Sequence, residues 1–231
     1  MKRENLQRIV KFLIKHLTRP SFFGTENVPR EGGLIIATNH MSRMDIPFLF
    51  VNPVRSDVTA LVAEKYASNI FINWFVTCAG AIFIDRSRAD FAAFREATKL
   101  IKNGIAMGIA PEGTRSHNNQ LLEGKAGTVL LALRTAAPIV PVGLVGTEGS
   151  FKKVFTLRKP RMSMRFGKPI LIDELPRENR EEALQHTVDE IMCRIAALLP
   201  ERYWGFYHNH PRLLELLAEQ GGAFEDGVES L

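Results

Sequence analysis

Short apolar runs alternating with longer helical stretches narrow the folds open to this chain. The runs Leu34–Thr38, Val58–Ala63, Ala81–Asp85, Ile105–Ala110 and Ile139–Val145 are strand-length and end at polar, charged or turn-forming residues. That is the pattern of buried strands. Helical stretches separate them at 46–51, 69–78, 90–103 and 128–136, and a long amphipathic one follows at 180–199. Strands divided by helices are joined by crossovers, not tight hairpins, and so lie parallel. The expected fold is therefore α/β: a layered, largely parallel sheet flanked by helices. Met162–Phe166 and Ile170–Ile172 read as further strands at an edge.

The net charge of +5 becomes informative once it is located. Residues 1–19 carry Lys2, Arg3, Arg8, Lys11, Lys15 and Arg19 against Glu4 alone, so the rest of the chain is balanced. The same segment places Leu6, Ile9, Val10, Leu13, Ile14 and Leu17 on one stripe of a helix over residues 4–19, which Pro20 stops. Two arrangements fit this N-terminal basic amphipathic helix. It can pack on the domain, or it can lie in a bilayer interface with its cations toward anionic headgroups. Confinement of the charge excess to this segment favours the second. The organisation expected is a membrane-surface helix at 1–19, one α/β domain at 20–200, and a C-terminal aromatic segment, short helix and frayed tail at 201–231.

No apolar run reaches the length of a membrane span; the nearest, Ile70–Ile84, is broken by Asn73 and Thr77. Nor does the N-terminus have a signal-peptide core. Cys78 and Cys193 are far apart and in no metal-ligand spacing, so neither a metal site nor a disulfide framework is expected, and free thiols suit a reducing cytoplasm. These features together place the protein peripherally, on the cytoplasmic face of a membrane. Residues 151–168 hold seven cations and no acid. They read either as a solvated hairpin or as a second contact for anionic lipid or an acyl carrier. No nucleic-acid-binding signature accompanies them.

The first apolar run leads into Asn39-His40-Met41-Ser42-Arg43-Met44-Asp45. A histidine at the C-terminal end of a strand is well placed for chemistry, because open α/β sheets put their sites there. Five positions along an ideal helix turn through about 500°, leaving side chains roughly 140° apart. His40 and Asp45 can therefore meet only if His40 lies in the turn and Asp45 inside the following helix. Asp45 would then accept from one ring nitrogen and leave the other free as a base. Ser42 reads as a helix-start residue, not a nucleophile, and the chain has no Gly-x-Ser-x-Gly elbow.

Four blocks in order resemble those of the glycerolipid acyltransferase family, which includes the 1-acylglycerol-3-phosphate (lysophosphatidate) acyltransferases. Asn39-His40-x-Ser42-x-x-Asp45 is similar to the first family motif. Gly80–Arg86 resembles the second, Pro111-Glu112-Gly113-Thr114-Arg115-Ser116 the third, and Val140-Pro141-Val142 with Gly146 the fourth. Ile109-Ala110 departs from the family, where an aromatic residue commonly precedes the third block.

The resemblance implies an acyltransferase domain at 20–200 that moves a fatty acyl group from a thioester to the free hydroxyl of 1-acylglycerol-3-phosphate, making phosphatidate. His40 would be the base and Asp45 would hold its tautomer. The donor would be acyl-CoA or an acylated carrier protein, acting as co-substrate with no cofactor and no metal. For the acceptor phosphate, Arg115 offers a bidentate contact, Gly113 a close backbone approach and Thr114 a hydroxyl. Glu112 would either hold Arg115 or contact the acceptor's glycerol. Arg86 and Lys65, each following a strand, are further phosphate candidates, and Lys125 is placed to face the pocket. Other acceptors, such as another lysophospholipid or glycerol phosphate, fit the same chemistry. A lipid thioesterase or hydrolase that activates water would use the same pair.

Overall fold

In this computed structural model, residues 1–85 and 90–224 are described. The strands are β1 (Arg19–Phe23), β2 (Leu34–Thr38), β3 (Thr59–Ala63), β4 (Ile82–Ile84), β5 (Ala106–Ile109), β6 (Ile139–Val145) and β7 (Arg161–Phe166). The helices are α1 (Arg3–Leu17), α2 (Asp45–Phe50), α3 (Ile70–Ala79), α4 (Phe91–Lys102), α5 (Gly127–Thr135), α6 (Ser150–Phe155), α7 (Arg180–Ala197) and α8 (Pro211–Gln220).

The strands form one sheet in the order β1-β7-β6-β2-β5-β3-β4. β6, β2, β5, β3 and β4 are parallel; β7 runs against β6 and carries β1 parallel to itself. Every residue of β2 is buried, because both faces of the sheet are covered, which is why its sequence is a continuous apolar run. Ile35 and Ala37 point into a core shared with α4, α5, α7 and α8. Leu34 and Ile36 point into a second core shared with α1, α2 and α3.

At the N-terminal end of the parallel strands, Arg55 is buried and joins three segments. It donates to the carbonyls of Pro29, Gly32 and Gly104 at 3.1, 3.0 and 2.7 Å, and it pairs with both oxygens of Asp57. Burial alone would push the Asp57 carboxyl up, but bonding and charge from Arg55 outweigh it and the net shift is downward.

Several expectations are corrected. The first helix ends at Leu17, not Arg19, and Pro20 lies inside β1. β1 is an edge strand with one unpaired side, where a residue without an N–H is tolerated. α6 is a helix that the sequence pattern did not announce. Of the strand expected at Ile170–Ile172, only a single bridge from Ile170 to Ile139 forms; Pro169, just before it, has no N–H with which to extend a ladder.

The stripe of α1 also divides. Leu6, Val10 and Ile14 are buried in the second core, whereas Ile9 and Leu13, together with Phe12 outside the stripe, are exposed. The helix is therefore packed on the domain and still presents an apolar face. Among the described residues, no helix is long and apolar enough to cross a membrane.

Candidate active site

β2 ends at Thr38, and the next residue continues the sheet's hydrogen bonding with its side chain. Asn39 Nδ2 donates to the Leu144 carbonyl at 2.9 Å, and Oδ1 accepts from the Leu144 amide at 2.7 Å. Asn39 is fully buried, so an amide that would be costly unpaired is satisfied. The main chain is thereby released to turn away from β6, and His40 follows.

Asp45 opens α2. Its Oδ2 accepts from the amides of Met41 and Ser42 and from His40 Nδ1, each at 2.8 Å. The turn from Asn39 to Met44 folds back around this carboxylate, which brings together two side chains that a continuous helix would separate. An oxygen that already accepts from two amides is an acceptor for the ring as well. Nδ1 therefore carries the proton, and the lone pair is on Nε2. Asp45 is only 4% exposed while the His40 side chain is 16% exposed, so the carboxylate is shielded and the ring reaches the cleft. Ser42 Oγ accepts from the Met44 amide at 3.1 Å, a turn-forming contact.

Glu112, on the loop after β5, does not hold Arg115, the first of the two parts expected of it. It is 1% exposed and makes no ion pair with Arg115 among the described residues. Oε1 accepts from the His40 amide at 3.0 Å and Oε2 from the Leu122 amide at 2.9 Å. The Ser116 amide donates to the His40 carbonyl at 2.8 Å, so the loops after two adjacent strands are stitched together at the His40 backbone. Burial pushes the Glu112 carboxyl up to about 7; the two amide bonds oppose that shift and the charge of Asp45 adds to it.

The C-terminal segment completes this support. The Leu121 amide donates to the Tyr203 carbonyl at 2.8 Å, the Phe206 amide to the Leu121 carbonyl at 3.0 Å, and the Gly124 amide to the Tyr207 hydroxyl at 2.9 Å. Neither Asn39 nor this collar was singled out from sequence for a positioning role. Their contacts are long-range, and no local pattern signals them.

His40 and Asp45 line a cleft together with Thr114 and Arg115 and the apolar side chains of Ile46, Leu49, Val62 and Ile109. Ile109 and Ala110, the departure noted above, both line it. An adjoining hollow is lined by Lys65, Gly113, Thr114 and Lys125 together with Glu64 and Asp85. Gly113 has φ +70°, and a Cβ there would lie 3.2 Å from Lys125 Cδ, so the glycine lets the lysine cross the loop. Arg86 lies outside the described residues. Among those described, no cluster of His, Cys, Asp and Glu could hold a metal ion.

The cleft opens where the connections from β2 and β5 leave on opposite faces of the sheet, the switch point at which α/β sheets carry their ligands. An imidazole with a free Nε2 can take a proton from a group bound there, and the cations that line the cleft, Lys65 and Arg115, can hold an anion.

Comparison with known proteins bears on the family and the fold. The family described as Acyltransferase matches residues 19–145. The 1-acyl-sn-glycerol-3-phosphate acyltransferase of Borreliella burgdorferi is 33% identical over 56% of this chain and 52% of its own length. The protein of that name from Saccharomyces cerevisiae is 32% identical over 73% of this chain and 57% of its own. The chain thus spans about half the length of these relatives. The crystal structure of the 1-acyl-sn-glycerophosphate acyltransferase of Thermotoga maritima shares the fold, with TM-score 0.58 and 23% identity over 81% of this chain and 79% of that one.

Proposed function

The chain belongs to the Acyltransferase family, and from that premise we propose that it transfers a fatty acyl group from an acyl thioester to the free hydroxyl of 1-acylglycerol-3-phosphate, yielding phosphatidate. The observation that carries this reading is the 2.8 Å bond from His40 Nδ1 to Asp45, which leaves Nε2 free on a residue that lines the same cleft as Arg115. A hydroxyl is a poor nucleophile near neutral pH. Nε2 takes its proton as the oxygen attacks the thioester carbonyl, a contribution of about 10²–10⁴-fold. The tetrahedral intermediate collapses with loss of the thiolate, which recovers the proton from the imidazolium. Asp45 stays ionised throughout and steadies that imidazolium. No acyl-enzyme is required, because the acceptor supplies the hydroxyl.

Arg115 grips the acceptor phosphate, with the Gly113 and Thr114 backbone and Lys65 beside it; Arg86 is a further candidate from the sequence. The apolar floor suits an acyl chain. The donor is acyl-CoA or an acylated carrier protein. A lysophospholipid resides in a bilayer, and the exposed Ile9, Phe12 and Leu13 of α1 and Ile70, Phe71 and Trp74 of α3 suit peripheral binding to a cytoplasmic membrane surface, with Lys11 and Lys15 toward the headgroups.

The test is transfer of a labelled acyl group from thioester to lysophosphatidate in detergent. His40→Ala should abolish it with the melting temperature retained. Near-normal transfer by that variant would remove His40 from the chemistry.

A further inference from the structure

After β6 the chain makes an excursion that the reaction does not use. Its ends are fixed. Ser150 is fully buried, with Oγ donating to the Thr147 carbonyl at 2.5 Å. Pro160 is buried, and its carbonyl accepts from the Arg19 amide at 2.8 Å. Between these anchors every side chain but that of Val154 is exposed. Phe155 is 83% and Leu157 84% exposed, and Lys152, Lys153, Arg158 and Lys159 surround them, exposed and without an ion pair among the described residues.

Two features make this more than a solvated turn. Leu157 has φ +56°, a left-handed conformation that is costly for a bulky residue and easy for Gly or Asn. At 84% exposed it buries little that could offset that cost. Phe155 is likewise a large apolar side chain in water, with nothing in the fold to gain from it. The location is the second feature. β6 lies parallel beside β2, with Thr38 opposite Val142, so α6 leaves the sheet at the same end as His40. The Arg19–Pro160 bond joins the far end of the excursion to the segment just after α1, whose apolar face is also exposed.

We propose that the 150–160 excursion is a second interfacial anchor. Phe155 and Leu157 enter the acyl–headgroup boundary of an anionic bilayer while Lys152, Lys153, Arg158 and Lys159 lie among its headgroups. Cations flanking exposed apolar tips are what an anionic interface binds. The occupant is a lipid surface rather than an acidic carrier protein because the most exposed groups at the tip are apolar. The anchor rests on the proposed bilayer-borne acceptor, and it places the cleft mouth at the membrane from the β6 side, opposite α3.

The experiment uses the full chain and phosphatidylcholine vesicles with and without phosphatidylglycerol. Phe155→Trp should show blue-shifted emission, quenched by lipids brominated near the headgroup, when anionic vesicles are added. Lys152→Gln with Lys153→Gln should weaken partitioning onto anionic vesicles on the order of tenfold and flatten its salt dependence. Leu157→Asn should leave the melting temperature unchanged or raised while vesicle binding falls. Transfer from detergent-dispersed substrates should stay at parent level in all three. A tryptophan at 155 that stays in water on vesicle-bound protein overturns the proposal. So does loss of transfer in detergent. Unchanged vesicle binding with loss confined to a carrier-protein donor also overturns it, and makes the surface a protein dock. If the parent transfers no acyl group yet the tryptophan inserts, the anchor stands and the proposed reaction falls.

Discussion

The backbone amide of His40 donates to Oε1 of Glu112 at 3.0 Å, across 72 positions of sequence. The other oxygen of that carboxylate takes the Leu122 amide, so Glu112 accepts from backbone on both sides. It fixes the height at which the His40 ring stands above β2, as Asp45 fixes the ring's rotation. Backbone and side chain of one residue are thus set by two separate carboxylates.

Glu112→Gln should therefore act on rate rather than on binding. A glutamine has one acceptor oxygen and one donor NH₂ group, so facing two amides it must lose one bond. A histidine displaced by about 1 Å costs on the order of 10²-fold. The expected result is a fall in kcat of about that size, with KM for the acceptor nearly unchanged. A raised acceptor KM at constant kcat would return Glu112 to the substrate-binding role that its sequence position suggested.

The same carboxyl gives the fold a pH dependence of definite sign. Its pKa stands at about 7 against an ordinary 4.5, so the folded state holds the proton more tightly than the unfolded chain. The stability it contributes is complete below 4.5 and is lost as pH rises through about 7. The whole swing is about 3 kcal/mol. Urea midpoints measured across that window should fall for the parent relative to Glu112→Gln. Parallel curves would mean that Glu112 titrates normally.

Legibility in the sequence followed the range of the interactions. β2 and β6 could be read to the residue because strands covered on both faces are unbroken apolar runs. β1 was hidden because Pro20 reads as a helix stop, and it is a strand only by virtue of β7, far away in sequence. α6 escaped because six residues rich in lysine have no buried stripe to reveal a period. His40 and Asp45 were legible because their geometry is decided within one turn. What Glu112 does was not, since its partners are fixed by the packing of two loops and a C-terminal collar.

Arg55 should be the most costly single loss from the scaffold. Arg55→Ala leaves three carbonyls and the Asp57 carboxylate without their donor, and breaking such a pair costs about 3–5 kcal/mol. The expected readout is a lower urea midpoint with an unchanged slope. The Asp57 pKa is lowered in the fold, so its contribution is present above the ordinary carboxylate range and disappears as pH falls through the lowered value. The gap between parent and variant should accordingly narrow in acid. A gap that is constant down to low pH would assign the loss to the carbonyl contacts alone.

In the proposed reaction Arg115 sets which way the substrates lie in the cleft. It is half-buried and lines the same cleft as His40, and its planar fork suits a phosphate held by two parallel bonds. Charged hydrogen bonds of this kind contribute about 1.5–3 kcal/mol. Arg115→Ala should therefore raise KM for lysophosphatidate by about 10–100-fold, while KM for the thioester and the melting temperature stay put. Arg115→Lys keeps the charge but loses the fork, so it should recover only part of the loss. If KM for acyl-CoA rises instead, the guanidinium holds the phosphates of the donor. The acceptor headgroup must then rest nearer Lys65, Gly113 and Lys125, and the hydroxyl would reach Nε2 of His40 from the hollow beside the cleft.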